Sequence, residues 1–315
     1  MKKVVDDVRL MIRVCDLYYN QSISQQKIAQ TLGLSRPTVS RLLSSAREQG
    51  IVKITISDLG EVRYWDLERR LEDRYHLQEV LISDSSQDTD ELMDHIGRMA
   101  GRYVERKIRS GHVVGVSMGR TLRKMVNYIQ DPEAEDVTFV PLIGGLGQLQ
   151  TPLHANSIAE SLAEAYHGTF VPLHAPARVS SRKMRDELMK EESLSRPVTL
   201  MRHMDIALLG IGYPSEYSSI TATGYYDEQE IEDLKSRRVA GDICMQFFDE
   251  TGDTSLYSSE NNVIGADIHN LYRVPCCIGI AGGVEKISAV LGAIRGGYIN
   301  HLVTDEECAR ALLEL

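Results

Sequence analysis

The sequence predicts an α/β protein in two parts, an N-terminal winged helix-turn-helix followed by a Rossmann-like, doubly wound domain. Three observations carry that prediction. Residues 8–49 hold three amphipathic helical stretches separated by a glycine turn and a cap serine. Residues 79–305 hold near-continuous apolar runs of strand length that alternate with amphipathic segments. Charge is also unevenly placed. Residues 1–53 carry nine Lys/Arg against four Asp/Glu, a balance of +5, whereas the other 262 of the 315 residues balance at −15. A small basic head on an acidic body points to a polyanion partner for the head alone.

Within the head, residues 1–57, the first helix is expected over 8–19, with Leu10, Ile12, Val14, Leu17 and Tyr18 as its apolar face. Ser24 is an N-cap for QQKIAQTL, and Gly33, free to take positive φ, ends that helix. Ser35 caps the next helix, and Pro37 falls in its first turn, where a missing N–H costs little. That helix runs to Glu48 and stops at Gly50, after which IVKITISD alternates as a strand does. Val39, Leu42 and Leu43 point into a small core, leaving Ser35, Arg36, Pro37, Thr38, Ser40 and Arg41 at the exposed amino end. Short hydroxyls and guanidinium groups there suit phosphates and base edges in a major groove, with Gln25 and Gln26 on the DNA backbone. The competing reading of the head is a three-helix interaction module.

Residues 58–78 form a joint. Gly60 breaks the strand, and a charged helix over 61–77 carries Tyr64, Leu67, Leu71 and Tyr75 at spacings of three and four. Such a narrow seam is read here as a linker and oligomerisation helix, packing on the body being the alternative. In the body, 79–315, the runs at 79–83, 112–117, 137–145, 169–173, 205–212, 276–283 and 300–305 read as strands of a parallel sheet covered on both faces.

Several function classes are excluded. The first fifteen residues are interrupted by charges throughout and lack the apolar core of a signal peptide. The longest uncharged run, 137–159, contains two prolines and three glycines and is no membrane span. The five cysteines form no CxxC and have no histidine at metal spacing, so reduced thiols in a cytoplasm are expected, with neither metal nor cofactor.

Ligands of doubly wound sheets sit beyond the carboxyl ends of the strands. Small residues gather there: Ser117, Gly119, Arg120 and Thr121; Gly144, Gly145 and Gly147; Gly212; and Gly282 and Gly283 with Lys286 just after. Glycine-freed N–H groups, two hydroxyls and two cations suit a small anion. Asp242 accepts from sugar hydroxyls, and Asn156 and Arg178 line the same cavity in this reading. A rival reading is an α/β enzyme acting on an ester or a sugar phosphate. Residues 115–119, GVSMG, match the GxSxG nucleophile elbow, with Asp205 or Asp242 and His269 or His301 formally available. The upstream oxyanion loop of that fold is absent, too few strands precede the elbow, and a DNA-binding head is an unusual companion.

Nearly the whole chain resembles the SorC-type family of bacterial sugar-binding transcriptional regulators. The head segment LYYNQSISQQKIAQTLGLSRPTVSRLLSSAREQGIV and the body motifs GVSMGRT, PLIGG, VAGDIC, FFD, IAGG with its lysine, and GGYINHLVTD carry the resemblance in this order. It implies a body related to glucosamine-phosphate deaminase and ribose-phosphate isomerase, used for sensing rather than turnover. It also implies a homotetramer on operator DNA that a phosphorylated sugar releases or rearranges. Ser117, Gly119 and Thr121 would then hold phosphate with the 144–147 loop, and Asp242 and Lys286 would meet the sugar.

Overall fold

The structure, a computed structural model, describes residues 8–53, 63–145, 151–215, 225–258 and 261–315. It divides into two compact units, Met1–Arg63 and Tyr64–Leu315.

The first unit is built on three helices, α1 (Val8–Cys15), α2 (Gln25–Leu32) and α3 (Arg36–Glu48). Ser24 and Ser35 are the N-caps of α2 and α3, accepting the Lys27 and Thr38 N–H groups at 3.4 and 3.3 Å. Gly33 closes α2 at φ +66°, a left-handed conformation that a Cβ disfavours. The core comprises Met11, Val14, Cys15, Ile28, Ala29, Val39, Leu42, Leu43 and Ala46. The inward face of α1 differs from expectation: Met11, Val14 and Cys15, at helical spacing, are buried, while Ile12 is half exposed. The chain then widens into a π-turn over Asp16–Asn20, so the single regular helix expected over 8–19 is interrupted. Most of the expected strand, 54–58, lies outside the described residues, and residues 51–53 are not strand.

The second unit is a seven-stranded sheet whose described pairings are all parallel, in the order β1-β9-β8-β5-β2-β3-β4. The strands are β1 (Glu79–Ser83), β2 (Val113–Val116), β3 (Thr138–Pro141), β4 (Thr169–Phe170), β5 (Ile206–Gly210), β8 (Cys276–Ile280) and β9 (His301–Asp305). A two-stranded hairpin, β6 (Gly241–Ile243) with β7 (Gln246–Phe248), stands apart from the sheet. Helices cover both faces: α4 (Trp65–Tyr75), α5 (Thr89–Lys107), α6 (Arg120–Val126), α7 (Ala155–Ala165), α8 (Arg182–Leu188), α9 (Ser195–Arg202), α10 (Glu228–Ser236), α11 (Ser255–Ser258), α12 (Ile287–Arg295) and α13 (Glu306–Glu314). Two apolar cores result, and alternate strand residues feed them. Ile206 and Leu208 enter one; Ala207 and Leu209 enter the other. The 169–173 run ladders only at Thr169–Phe170: the Val171 N–H still reaches the Phe139 carbonyl, but Pro141 on β3 has no N–H to return and the Leu173 N–H goes to Asn156 Oδ1 instead.

Helix α4 belongs to this unit. Tyr64, Leu67 and Leu71 are buried in its core, and the Tyr64 hydroxyl donates to Asp84 and Glu306 at 2.6 and 2.8 Å. The seam read as an oligomerisation stripe is thus occupied within the chain, leaving Trp65 exposed.

The order of strands places a topological switch between β2 and β5. From β2 the chain winds outward through β3 to β4, then returns to β5 on the other side of β2. A crevice opens at the carboxyl ends of two such strands, where the connections diverge.

Candidate effector cleft and DNA-reading helix

At that switch point lies a cleft of about 60 Å³. Its walls are Met118–Leu122, which follow β2, and Gly210–Tyr213, at the end of β5; Asp242, Cys244, Ile280 and Lys286 complete it with Met93. Of the residues expected at the site, Gly119, Arg120, Thr121, Gly212, Asp242 and Lys286 are therefore brought together.

Asp242 is held there by the hairpin. Cys244 and Met245 form its two-residue turn, both at positive φ (52° and 60°), as a type I′ connection demands. The Asp242 Oδ2 accepts the Met245 N–H at 3.0 Å and so braces the turn from within. Reciprocal backbone bonds at 2.9 and 3.0 Å tie Asp242 to Gly212. A Cβ on Gly212 would collide with the Asp242 carboxylate, so glycine is required at that position. Asp242 is 2% exposed, and its Oδ1 has no partner among the described residues. Burial pushes its pKa up to about 7, against the opposing pull of the Met245 N–H and the Lys286 charge.

Lys286 ends the turn Val284–Lys286 and donates from Nζ to the Ile211 carbonyl at 3.0 Å. Burial lowers its pKa, as does the Arg120 charge, while Glu285 and Asp242 oppose the shift. Arg120 is exposed and, among the described residues, makes neither hydrogen bond nor ion pair. The cleft thus offers two cations, the Thr121 hydroxyl and a carboxyl with a spare oxygen. That donor and acceptor set suits a ligand carrying an anionic group and a hydroxyl.

The other expected residues do different work. Ser117 is 1% exposed, and its Oγ accepts the Gly210 N–H at 2.7 Å, clamping the ends of β2 and β5. The Gly144 and Gly145 N–H groups donate to the Ile264 and Ala175 carbonyls at 3.0 and 2.8 Å, so neither is left for an anion. Gly144 is needed because a Cβ there would meet the Ala175 and Pro176 backbone. The Asn156 amide binds the Leu173 N–H and carbonyl. Gly282 and Gly283 pack on Asp305, which accepts the Gly283 N–H at 2.7 Å. Arg178 donates to the Tyr225 carbonyl, Asn262 and Glu230, away from this cleft. Gly147 lies outside the described residues. Sequence reasoning missed Met93, Met118, Tyr213, Cys244 and Ile280, apolar or neutral lining that carries no chemical signature.

The residues of the hydrolase reading are not brought together. His269 bonds Thr254 at 3.1 Å, and His301 starts β9, at the opposite end of the sheet from Ser117. Neither is a hydrogen-bond partner of Ser117 among the described residues.

In the head, Arg36, Pro37, Ser40 and Arg41 stand exposed on the first two turns of α3, with Gln26 exposed and Gln25 half-buried at the start of α2. Ser35 Oγ and Thr38 Oγ1 lie 2.8 Å apart, so those two hydroxyls satisfy one another as well as the cap. Two guanidinium groups without a hydrogen bond or ion pair among the described residues, on the amino end of α3 after a tight turn, fit major-groove reading.

A helix-turn-helix head joined to a parallel α/β body with a charged cleft at its switch point defines a ligand-responsive DNA-binding protein. Comparisons with known proteins agree. Residues 62–314 match a family described as "Putative sugar-binding domain", and residues 9–68 match a Crp-like helix-turn-helix domain. The chain is 34% identical to the sorbitol operon regulator of Klebsiella pneumoniae over 312 residues, covering 98% of this chain and 99% of that protein. It is 31% identical to the deoxyribonucleoside regulator of Bacillus subtilis, covering 97% of each. The crystal structure of the full-length sorbitol operon regulator superposes with a TM-score of 0.76 at 33% identity, covering 98% of this chain and 99% of that one. The chain belongs to the SorC/DeoR family and is a sugar-responsive transcriptional regulator. Among the described residues, no helix is long and apolar enough to cross a membrane.

Proposed function

We propose that the chain is a cytoplasmic regulator of a carbohydrate-metabolism operon, that its effector is a phosphorylated sugar, and that it acts as a homotetramer without turning the sugar over. Asp242 is the observation that carries the effector reading. A carboxyl buried to 2% exposure, with a spare oxygen beside a half-buried lysine, awaits a hydroxyl donor. Arg120 and Lys286 supply the charge that anchors phosphate, and Asp242 selects among hydroxyl patterns. The ligand acts on DNA binding through its differential affinity for two states of the assembly.

A thermal-shift screen of sugar phosphates against the corresponding free sugars tests this reading. At a hundredfold excess over Kd a native-state ligand adds about 2.7 kcal/mol, a rise of several degrees. The expected result is a rise with one phosphorylated sugar and none with its dephosphorylated form. Equal rises with both would refute the phosphate assignment.

A further inference from the structure

A larger cavity, of about 500 Å³, lies elsewhere in the same unit and takes no part in the cleft described above. Its volume falls in the range of small-molecule sites. The aromatic side chains on its wall are Tyr226, Phe247 and Tyr257, packed edge to face at centroid separations of 5.6 and 6.3 Å. Each of these rings is nine-tenths or more buried. The Tyr226 hydroxyl has no hydrogen-bond partner among the described residues, although the residue lines the cavity at 9% exposure. That oxygen is not sealed from solvent, so it is available to a ligand placed in the cavity.

Charge on the rim is unequally matched. Arg178 is paired with Glu230 at 3.3 Å, and Arg237 with Asp233 at 3.4 Å. Arg182 and Arg185, three residues apart on α8, share the single carboxylate of Asp186, at 4.0 and 3.5 Å. Asp267, on the same lining, makes no ion pair among the described residues, so it is the two neighbouring guanidinium groups and their bidentate geometry, rather than an excess of charge, that suit an oxyanion. Arg178 already lies over the Tyr226 ring at 4.5 Å and Arg237 over the Tyr257 ring at 5.4 Å, so the wall presents ring edges and guanidinium planes, against which a planar ring packs and a bare sugar phosphate does not.

We propose that this cavity is a second small-molecule site, and that it takes an organic phosphate carrying a planar ring, of the nucleoside monophosphate type. The ring lies against Tyr226, Phe247 and Tyr257, the phosphate meets Arg182 and Arg185, and the Tyr226 hydroxyl gains a polar partner. The two sites share the β6–β7 hairpin: Asp242 and Cys244 face the cleft, and Met245, Gln246 and Phe247 face the cavity.

Calorimetric titration of the full chain with adenosine monophosphate and phenyl phosphate tests the proposal. Adenosine and inorganic phosphate serve as the half-probes. The expected result is one equivalent bound per chain for at least one of the two full probes, with both half-probes weaker. Lys286→Met leaves that binding unchanged, because the cleft is not involved. The double variant Arg182→Gln/Arg185→Gln weakens it about tenfold or more by removing two charge-assisted bonds. Tyr226→Phe, which keeps the ring, weakens it about threefold.

The proposal is overturned if neither full probe binds at about 1 mM, the weak end of recognition. It is overturned equally if Lys286→Met abolishes binding, which would put the probe in the cleft. Adenosine binding as tightly as its monophosphate would remove the anion subsite. A change of molecular mass by light scattering in the double arginine variant would make this face a contact between copies.

Discussion

At the amino ends of the strands, Glu79 opens β1 and is fully engaged: Lys107 at 2.7 Å, Arg106 at 2.6 Å and the Tyr103 hydroxyl at 3.0 Å. Burial alone would raise its pKa, but these three partners outweigh burial and hold it below the ordinary value of 4.5. Across the sheet, by the carboxyl ends, Asp242 has one backbone donor, an unpartnered oxygen and a pKa near 7. Both are carboxyls beside a lysine; only one is satisfied by the chain itself. Asp305, also at a carboxyl end, sharpens the point. Its oxygens accept from Gly283 N–H and Ser85 Oγ, so it organises a turn and offers nothing outward. Incomplete pairing of a buried charge, rather than position in the fold, separates the ligand site from the scaffold.

The largest effect expected from this contrast concerns Asp242. Below about pH 4 its carboxyl is protonated in folded and unfolded chains alike. Between pH 4 and 7 the unfolded chain gives up the proton and the folded one keeps it, so stability falls as pH rises. Above pH 7 the full cost is present, on the order of 4 kcal/mol for a shift from 3.8 to about 7. Asp242→Asn should therefore unfold at a higher temperature than the parent at pH 8, differ little at pH 4, and lose its effector response. A variant less stable at pH 8 would show that the carboxylate is already satisfied. Lys286→Met comes next. Loss of one charge-assisted contact should raise the effector concentration for half-response about tenfold to a hundredfold, with DNA affinity unchanged. An unchanged titration would remove Lys286 from the site. The smallest effect belongs to Glu79→Gln, about 1 kcal/mol of stability lost at neutral pH and an unaltered effector titration. A shifted effector titration in that variant would break the distinction between the two ends.

Much of this was legible in the residues. Caps at Ser24 and Ser35, the turn at Gly33 and the apolar strand runs each have a local physical cause, and each placed its element. The β6–β7 hairpin was not legible, because its type I′ turn uses Cys244 and Met245 where glycine or asparagine is the recognisable signal. Asp242 braces that turn, so its local role is visible only in three dimensions. The glycine-rich strand ends at 144–145 and 282–283 misled for the converse reason. Glycine marks close approach of backbone, and there the approaching group is the chain's own Pro176 or Asp305 rather than a ligand. The ion-pair set around Glu79 joins residues far apart in sequence and has no local signature.

The most direct test of the account joins DNA and effector in one titration. Fluorescence anisotropy of a labelled duplex from the region flanking the chain's own gene is measured at fixed salt, with and without the sugar phosphate found by thermal shift. The account predicts tight binding by the wild type and a loss of tenfold or more in Arg36→Ala/Arg41→Ala, since each base or phosphate contact is worth about 1–3 kcal/mol. It also predicts that the sugar phosphate shifts the wild-type curve and leaves the Asp242→Asn curve where it was. Binding unaffected by loss of both arginines, or a sugar phosphate that shifts the two curves equally, would contradict it.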